Sequence, residues 1–146
     1  MELDPHLLHL AVRWLHVAAM ATAFGGALLV VALAATRSAD AALLDVARGY
    51  EWLFWAAAGV LVMTGVGNLG AFGSGLPEPD TRWGTTLVVK LSSVFVLIVL
   101  SVPRTLAVGA LVRERPATAR RLGFFYGVTA AALALILGIA ILLAHG

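Results

Sequence analysis

The chain contains 146 residues, of which 61% are hydrophobic and 12% are charged, and its formal net charge is +2. Soluble domains average about 45–50% apolar and 25% charged residues, so this composition excludes an ordinary soluble domain and indicates an integral membrane protein. The absence of cysteine excludes disulfide bonds, thiolate metal sites, iron–sulfur clusters and covalently attached haem. No basic patch with interleaved aromatic residues predicts a nucleic-acid partner.

Four apolar segments are long enough to cross the ~30 Å hydrocarbon core of a bilayer, which takes about 20 helical residues. The predicted transmembrane helices span about residues 7–36, 50–70, 84–112 and 118–145. A charged connector at 38–48 separates the first two, and Thr81 or Asp80 is the candidate N-cap of the third. Pro103 is expected to break or kink that third helix. Residues 1–146 are therefore predicted to form a single all-α domain, an integral membrane four-helix bundle.

The basic residues are distributed unevenly between the two sides of this bundle. The connectors on one side are flanked by seven arginines: Arg37, Arg48, Arg104, Arg113, Arg115, Arg120 and Arg121. The other side carries Arg13, Arg82 and Lys90. Because cytoplasmic loops are enriched in Lys and Arg, both connectors are predicted to be cytoplasmic and both termini outside. The chain would then be a multi-pass protein of a bacterial-type cytoplasmic (inner) membrane.

His16 is the only ionisable side chain in the long apolar run of the first predicted helix. A titratable group inside a transmembrane helix is costly and indicates a functional role. Residues three and four apart share a helix face, so the His16 face continues through Ala19, Ala23 and Gly26. The sequence leaves two interpretations of these small residues open. They permit either close contact with a neighbouring helix or a slot for a flat cofactor held by the histidine.

A polar stripe with helical spacing runs along the third predicted helix. It comprises Lys90, Ser93, Ser101 and Arg104. Such a stripe is expected to face the interior of the bundle rather than lipid. Lys90 lies near the outer end of that helix, where its ammonium group either extends to the membrane surface or pairs with an anion, such as a carboxylate of a cofactor.

An intramembrane histidine in a helical bundle is a recurrent way to hold haem b, with the imidazole as an axial iron ligand and nearby cations facing the propionates. We therefore predict a haem b protein that acts in electron transfer or haem-linked redox chemistry with an unidentified redox partner. The candidate cofactor-binding residues are His16, Lys90, Arg13, Arg82, Ala19, Ala23 and Gly26. The candidate metal ligands are His16, His145 and His9, and His16 of a second subunit could also complete the site.

Two other functions remain open from the sequence. Met20 lies one turn after His16, and a thioether together with an imidazole suits Cu(I), so a copper-handling protein is one alternative. A non-catalytic subunit of a membrane complex is the other. In that case His16 would only form a hydrogen bond with a neighbouring helix.

Other residues indicate packing within or between chains. Thr64 is expected to hydrogen-bond across helices. Glu51 is expected to pair with Arg48 near the cytoplasmic surface, or to lie in the aromatic belt. The glycine spacing from Gly123 to Gly127 is typical of close helix contacts and indicates a homodimer face, with membrane lipid around the rest of the bundle.

Three short patterns resemble the copper-resistance protein D family. They are Leu15-His16, Met63-Thr64-Gly65, and Thr81-Arg82-Trp83-Gly84 followed by Leu87 and Lys90. The likeness covers about residues 10–105 and implies a four-helix membrane core with a role in copper resistance. The pairing of a first-helix histidine with a third-helix lysine is also similar, more distantly, to the bacterial membrane protoporphyrinogen oxidase family, whose members are associated with haem. That likeness implies that His16 and Lys90 define a porphyrin site.

Overall fold

The protein is a bundle of four long helices. A computed structural model describes residues 4–36, 41–70, 80–114 and 119–145. The helices are α1 (Pro5–Thr36), α2 (Ala41–Gly70), α3 (Arg82–Glu114) and α4 (Ala119–His145). The described residues contain no strand, so the predicted all-α class is confirmed.

Two helix starts are stabilised by local hydrogen bonds that their sequences supply. The Asp4 carboxylate accepts a hydrogen bond from the His6 amide at 3.0 Å, which caps α1 ahead of its first-turn proline. The Thr81 hydroxyl accepts a hydrogen bond from the Gly84 amide at 3.0 Å, so of the two candidate caps for α3 it is Thr81 that performs this role. Asp80 lies outside the helix in a turn.

Two predicted boundaries differ from the structure. α2 begins at Ala41 rather than near 50, because most of the predicted charged connector is amphipathic helix. Its apolar side chains, Leu43, Leu44 and Ala47, are buried in the bundle, whereas Asp45 and Arg48 are exposed on the other side. α3 does not break at Pro103 but continues to Glu114. Pro103 is exposed, and buried side chains on both sides of it hold the helix in the bundle.

The four helices form a closed ring in which α1 contacts α2, α2 contacts α3, α3 contacts α4, and α4 contacts α1. The core between them is built from small residues of α1 and large residues of α2 and α4. Its largest fully buried side chains include Tyr126 and Phe54, and Ala23 and Ala27 are almost inaccessible.

The outer surface of the bundle is apolar. Large side chains such as Trp14, Trp52 and Phe95 are 68–77% exposed, far more than a soluble helical bundle would present to water. Each helix is long and apolar enough to cross a bilayer, with candidate spans His6–Thr36, Ala41–Val66, Arg82–Leu111 and Ala119–Leu143. The chain is therefore a multi-pass membrane protein with a four-helix transmembrane core.

Candidate functional site

His16 of α1 is held against α2 by a hydrogen bond. Its Nδ1 atom lies 2.8 Å from the Oγ1 atom of Thr64, and a Cβ atom added at Gly65 would lie 3.8 Å from the His16 ring. The His16 side chain is half-buried. The prediction that Thr64 hydrogen-bonds across helices is confirmed.

The partners of Thr64 determine which nitrogen of His16 carries the proton. The Thr64 hydroxyl donates its single hydrogen to the Val60 carbonyl at 2.6 Å. Its oxygen must therefore accept a hydrogen from Nδ1 of His16, and we assign the neutral imidazole as the tautomer protonated on Nδ1. The Nε2 atom then carries a free lone pair. Among the described residues, no group forms a hydrogen bond with Nε2.

Lys90 of α3 is a cation in the same part of the bundle. It is half-buried and close enough to His16 for the two groups to interact electrostatically. The predicted polar stripe on α3 faces the bundle as expected, since Ser93 is half-buried and Ser101 and Arg104 are buried.

Tyr50 of α2 covers Ala23 and Gly26 on the small-residue face of α1. Its hydroxyl donates to the Ala23 carbonyl at 2.7 Å, and its ring lies directly over Gly26. A Cβ atom at Gly26 would approach Tyr50 Cδ2 and Cε2 to 2.6 Å. At Ala23 and Gly26 the close helix contact is therefore the correct interpretation. At His16 and Ala19 the cofactor slot stays a prediction.

The remaining candidates are not brought to His16 by any described contact. Arg13, Arg82 and His9 are exposed, and the side chain of His145 lies outside the described residues. In the described part of the chain, no three side chains of His, Cys, Asp or Glu come together as a metal site. Met20 is buried in the core cluster near His16.

A second polar cluster, which the sequence did not predict, lies in the core of the bundle. Glu51 of α2 and Arg104 of α3 form a bidentate ion pair, in which Nε and Nη2 of the arginine each lie 3.0 Å from one carboxylate oxygen. Their side chains are only 7% and 5% exposed. The expected pairing of Glu51 with Arg48 is wrong, because Arg48 faces outward from α2 while Glu51 points into the bundle.

Side chains from α3 and α4 complete the hydrogen bonding of this pair. The Tyr126 hydroxyl donates to Glu51 Oε1 at 2.7 Å, and the Thr105 hydroxyl donates to Oε2. Nη1 of Arg104 donates to the Thr129 hydroxyl at 2.8 Å. Within the described residues, no buried side-chain nitrogen or oxygen lacks a partner. A buried ion pair tolerates an apolar environment only when its remaining polar atoms are satisfied in this way.

Aromatic rings enclose the guanidinium group of Arg104. Its Cζ atom lies 4.3 Å from the centroid of the Phe54 ring, 5.7 Å from Tyr50 and 5.5 Å from Tyr126. The faces of such rings attract cations, and the attraction increases when water is excluded. Because Tyr50 also bonds to α1, the cluster connects all four helices.

The surroundings of Gly123 and Gly127 bear on the predicted homodimer face. A Cβ atom at Gly123 would lie 3.5 Å from Ala34 of α1, so this glycine serves packing within the chain. Gly127 has open space around its Cα atom. The homodimer stays a prediction.

Comparison with known proteins identifies no relative of the chain. No protein-family model matches the chain, and no match is found among curated proteins or solved structures. The functional argument therefore rests on the hydrogen bond between His16 and Thr64 and on the charge of the half-buried Lys90.

Proposed function

We propose that the chain is a membrane protein that binds haem b through Nε2 of His16 and acts in electron transfer or haem-linked redox chemistry. The observation that carries the proposal is the Nδ1···Thr64 hydrogen bond of 2.8 Å. Histidines that bind metals almost always donate their second ring N–H to a neighbouring acceptor, which holds the ring and its tautomer in place. This arrangement leaves the Nε2 lone pair without a hydrogen-bond partner among the described residues.

The donor set of the chain suits haem better than a bare metal ion. One neutral imidazole is enough for an axial iron position, whereas a protein-only metal site takes three or more ligands. Lys90 supplies a cation near the histidine for a propionate, and Arg13 and Arg82 are the further candidates. When bound, haem would supply the one-electron chemistry. The chain would hold and orient it through His16 and Thr64.

The proposed setting is a bacterial-type cytoplasmic membrane with both termini outside. The uneven distribution of basic residues between the two sides supports this orientation. His145, and His16 of a second copy of the chain, are the candidates for a second iron ligand. His9 lies two turns before His16 on the same helix and therefore cannot reach the opposite face of one ring.

The test is the absorption spectrum and metal content of protein purified without added haem. We expect a Soret band and iron, both lost in His16→Ala at unchanged helicity and both kept in His6→Ala, an exposed histidine of the same helix. A colourless, iron-free preparation would show that the proposal is wrong. Copper that is lost on His16→Ala would favour the copper-handling alternative, for which Met20 is the nearest soft ligand candidate.

Protein that contains neither metal nor pigment but purifies within a larger complex would indicate a non-catalytic subunit. Such a subunit would also contain the His16–Thr64 hydrogen bond, as a contact between helices. Metal and pigment content therefore separate the alternatives, whereas the fold does not.

A further inference from the structure

Two cavities along α4 have no part in the proposed haem site. One, of about 670 Å³, lies at the start of α4 and is lined by Arg120, Arg121, Phe124 and Phe125. The other, of about 610 Å³, is an open groove between α3 and α4 that also includes Phe124 and Phe125 in its wall. The two cavities therefore adjoin at these phenylalanines.

The walls of the combined cavity change from cationic to apolar along α4. Arg120 and Arg121 are exposed in the first turn, and within the described residues neither forms an ion pair. The phenylalanines follow one turn later, and beyond them come apolar groove residues such as Val128 and Leu135. A cationic end followed by an apolar groove is complementary to an amphiphile with an anionic head.

The length of the groove suits a lipid chain. Its wall runs from Phe124 to Ile136 on α4, which is about 18 Å, and from Val88 to Arg104 on α3, which is about 24 Å at the helical rise of ~1.5 Å. One leaflet of a bilayer has a hydrocarbon thickness of ~15 Å, half of the ~30 Å core. The groove can therefore hold an acyl chain along its whole depth in one leaflet.

We propose that the combined cavity is a specific site for an anionic phospholipid. The phosphate binds Arg120 and Arg121, and an acyl chain lies over Phe124 and Phe125 in the α3–α4 groove. Basic pockets at the ends of transmembrane helices bind anionic head groups in this manner. Arg120 and Arg121 lie at such an end, because the candidate span of α4 begins at Ala119. The buried Arg104 forms part of the inner wall, but its guanidinium is already paired with Glu51 and does not supply the head-group contact.

The test is native mass spectrometry of the full chain in a neutral detergent, with dioleoyl phosphatidylglycerol and dioleoyl phosphatidylcholine at equal concentration. Two arginines near an anionic head group predict a preference of about 30-fold for phosphatidylglycerol at low salt, and a smaller one at high salt. Arg120→Gln/Arg121→Gln should remove the preference, whereas Arg48→Gln, an exposed arginine on α2, should keep it. Equal retention of both lipids by the unmodified chain, or an equal loss in the Arg48 variant, would overturn the proposal.

A groove variant and a soluble head group test the acyl-chain contact. Ala132→Trp places a large ring in the groove and should reduce retention of both lipids at unchanged helicity. Glycerol phosphate, which carries the anion without the chains, should compete poorly. Full competition by glycerol phosphate would instead identify a site for a soluble phosphate. A lipid-free dimer that Ala132→Trp dissociates would show that a second copy of the chain covers the groove, and either result would overturn the lipid site. Neither result depends on whether haem binds at His16.

Discussion

Replacement of Glu51 by glutamine tests the buried ion pair directly. The substitution keeps the side-chain shape but removes the charge that balances Arg104, whose side chain is 5% exposed. The substitution also turns one carboxylate oxygen into an NH2 group. Its two N–H donors would face groups that now donate hydrogen bonds to the carboxylate, among them the Arg104 guanidinium, which cannot accept one. Loss of one partner from a buried pair costs about 3–5 kcal/mol, and we expect Glu51→Gln to lower the free energy of unfolding by that amount.

The assay is unfolding of the purified protein in mixed micelles by increasing SDS, followed by helical circular dichroism. Asp45→Asn is the matched control, because Asp45 is an exposed carboxylate of the same helix and its loss should change stability by less than about 0.5 kcal/mol. The double variant Glu51→Leu/Arg104→Met should be more stable than Glu51→Gln, since it leaves no unpaired charge. A cost below about 1 kcal/mol for Glu51→Gln would refute the reasoning. So would a double variant whose loss of unfolding free energy equals the sum of the losses in Glu51→Leu and Arg104→Met.

Two further substitutions test the contacts along α1. Gly26→Ala should destabilise the bundle by about 1–3 kcal/mol in the same assay, because the new Cβ atom would lie 2.6 Å from the Tyr50 ring. Gly25→Ala is the matched control. Its Cβ atom meets no atom within 4 Å, so this variant should be neutral or slightly stabilising. Equal effects of the two alanines would contradict the close contact. Thr64→Val removes the acceptor that holds His16, so haem titrations followed at the Soret band should show about 10–100-fold weaker binding. Unchanged affinity would show that this hydrogen bond does not support a ligand.

The wrong start predicted for α2 also made the predicted partner of Glu51 wrong. With α2 placed from residue 50, Glu51 appeared to lie at the membrane surface, where an exposed arginine is a reasonable partner. The helix in fact begins at Ala41, so Glu51 lies about 15 Å inside it. Arg104 lies equally far from the end of α3 at Glu114, and the two groups therefore meet at one depth. Amphipathic spacing of Leu43, Leu44 and Ala47 was the signal that could have corrected the boundary.

The sequence by itself determined the features that depend on neighbouring residues. Hydropathy over about 20 residues depends only on composition, so the four spans were predictable. The run Asp80-Thr81 ahead of the third span was enough to predict a capped start, but not to say which of the two residues is the cap. The sequence also identified His16 as the intramembrane ionisable group of the first helix. It could not choose between packing and a cofactor slot at Gly26, because that choice depends on what the neighbouring helix places there.

Only the tertiary structure decided the contacts between helices. Glu51 and Arg104 are 53 residues apart, and His16 and Thr64 are 48 apart, so no local pattern joins them. Each pair depends on the rotation and depth of two helices, which the packing of the whole bundle sets. The Tyr50 ring over Gly26 has the same origin, since small residues allow a close approach but do not specify which side chain makes it.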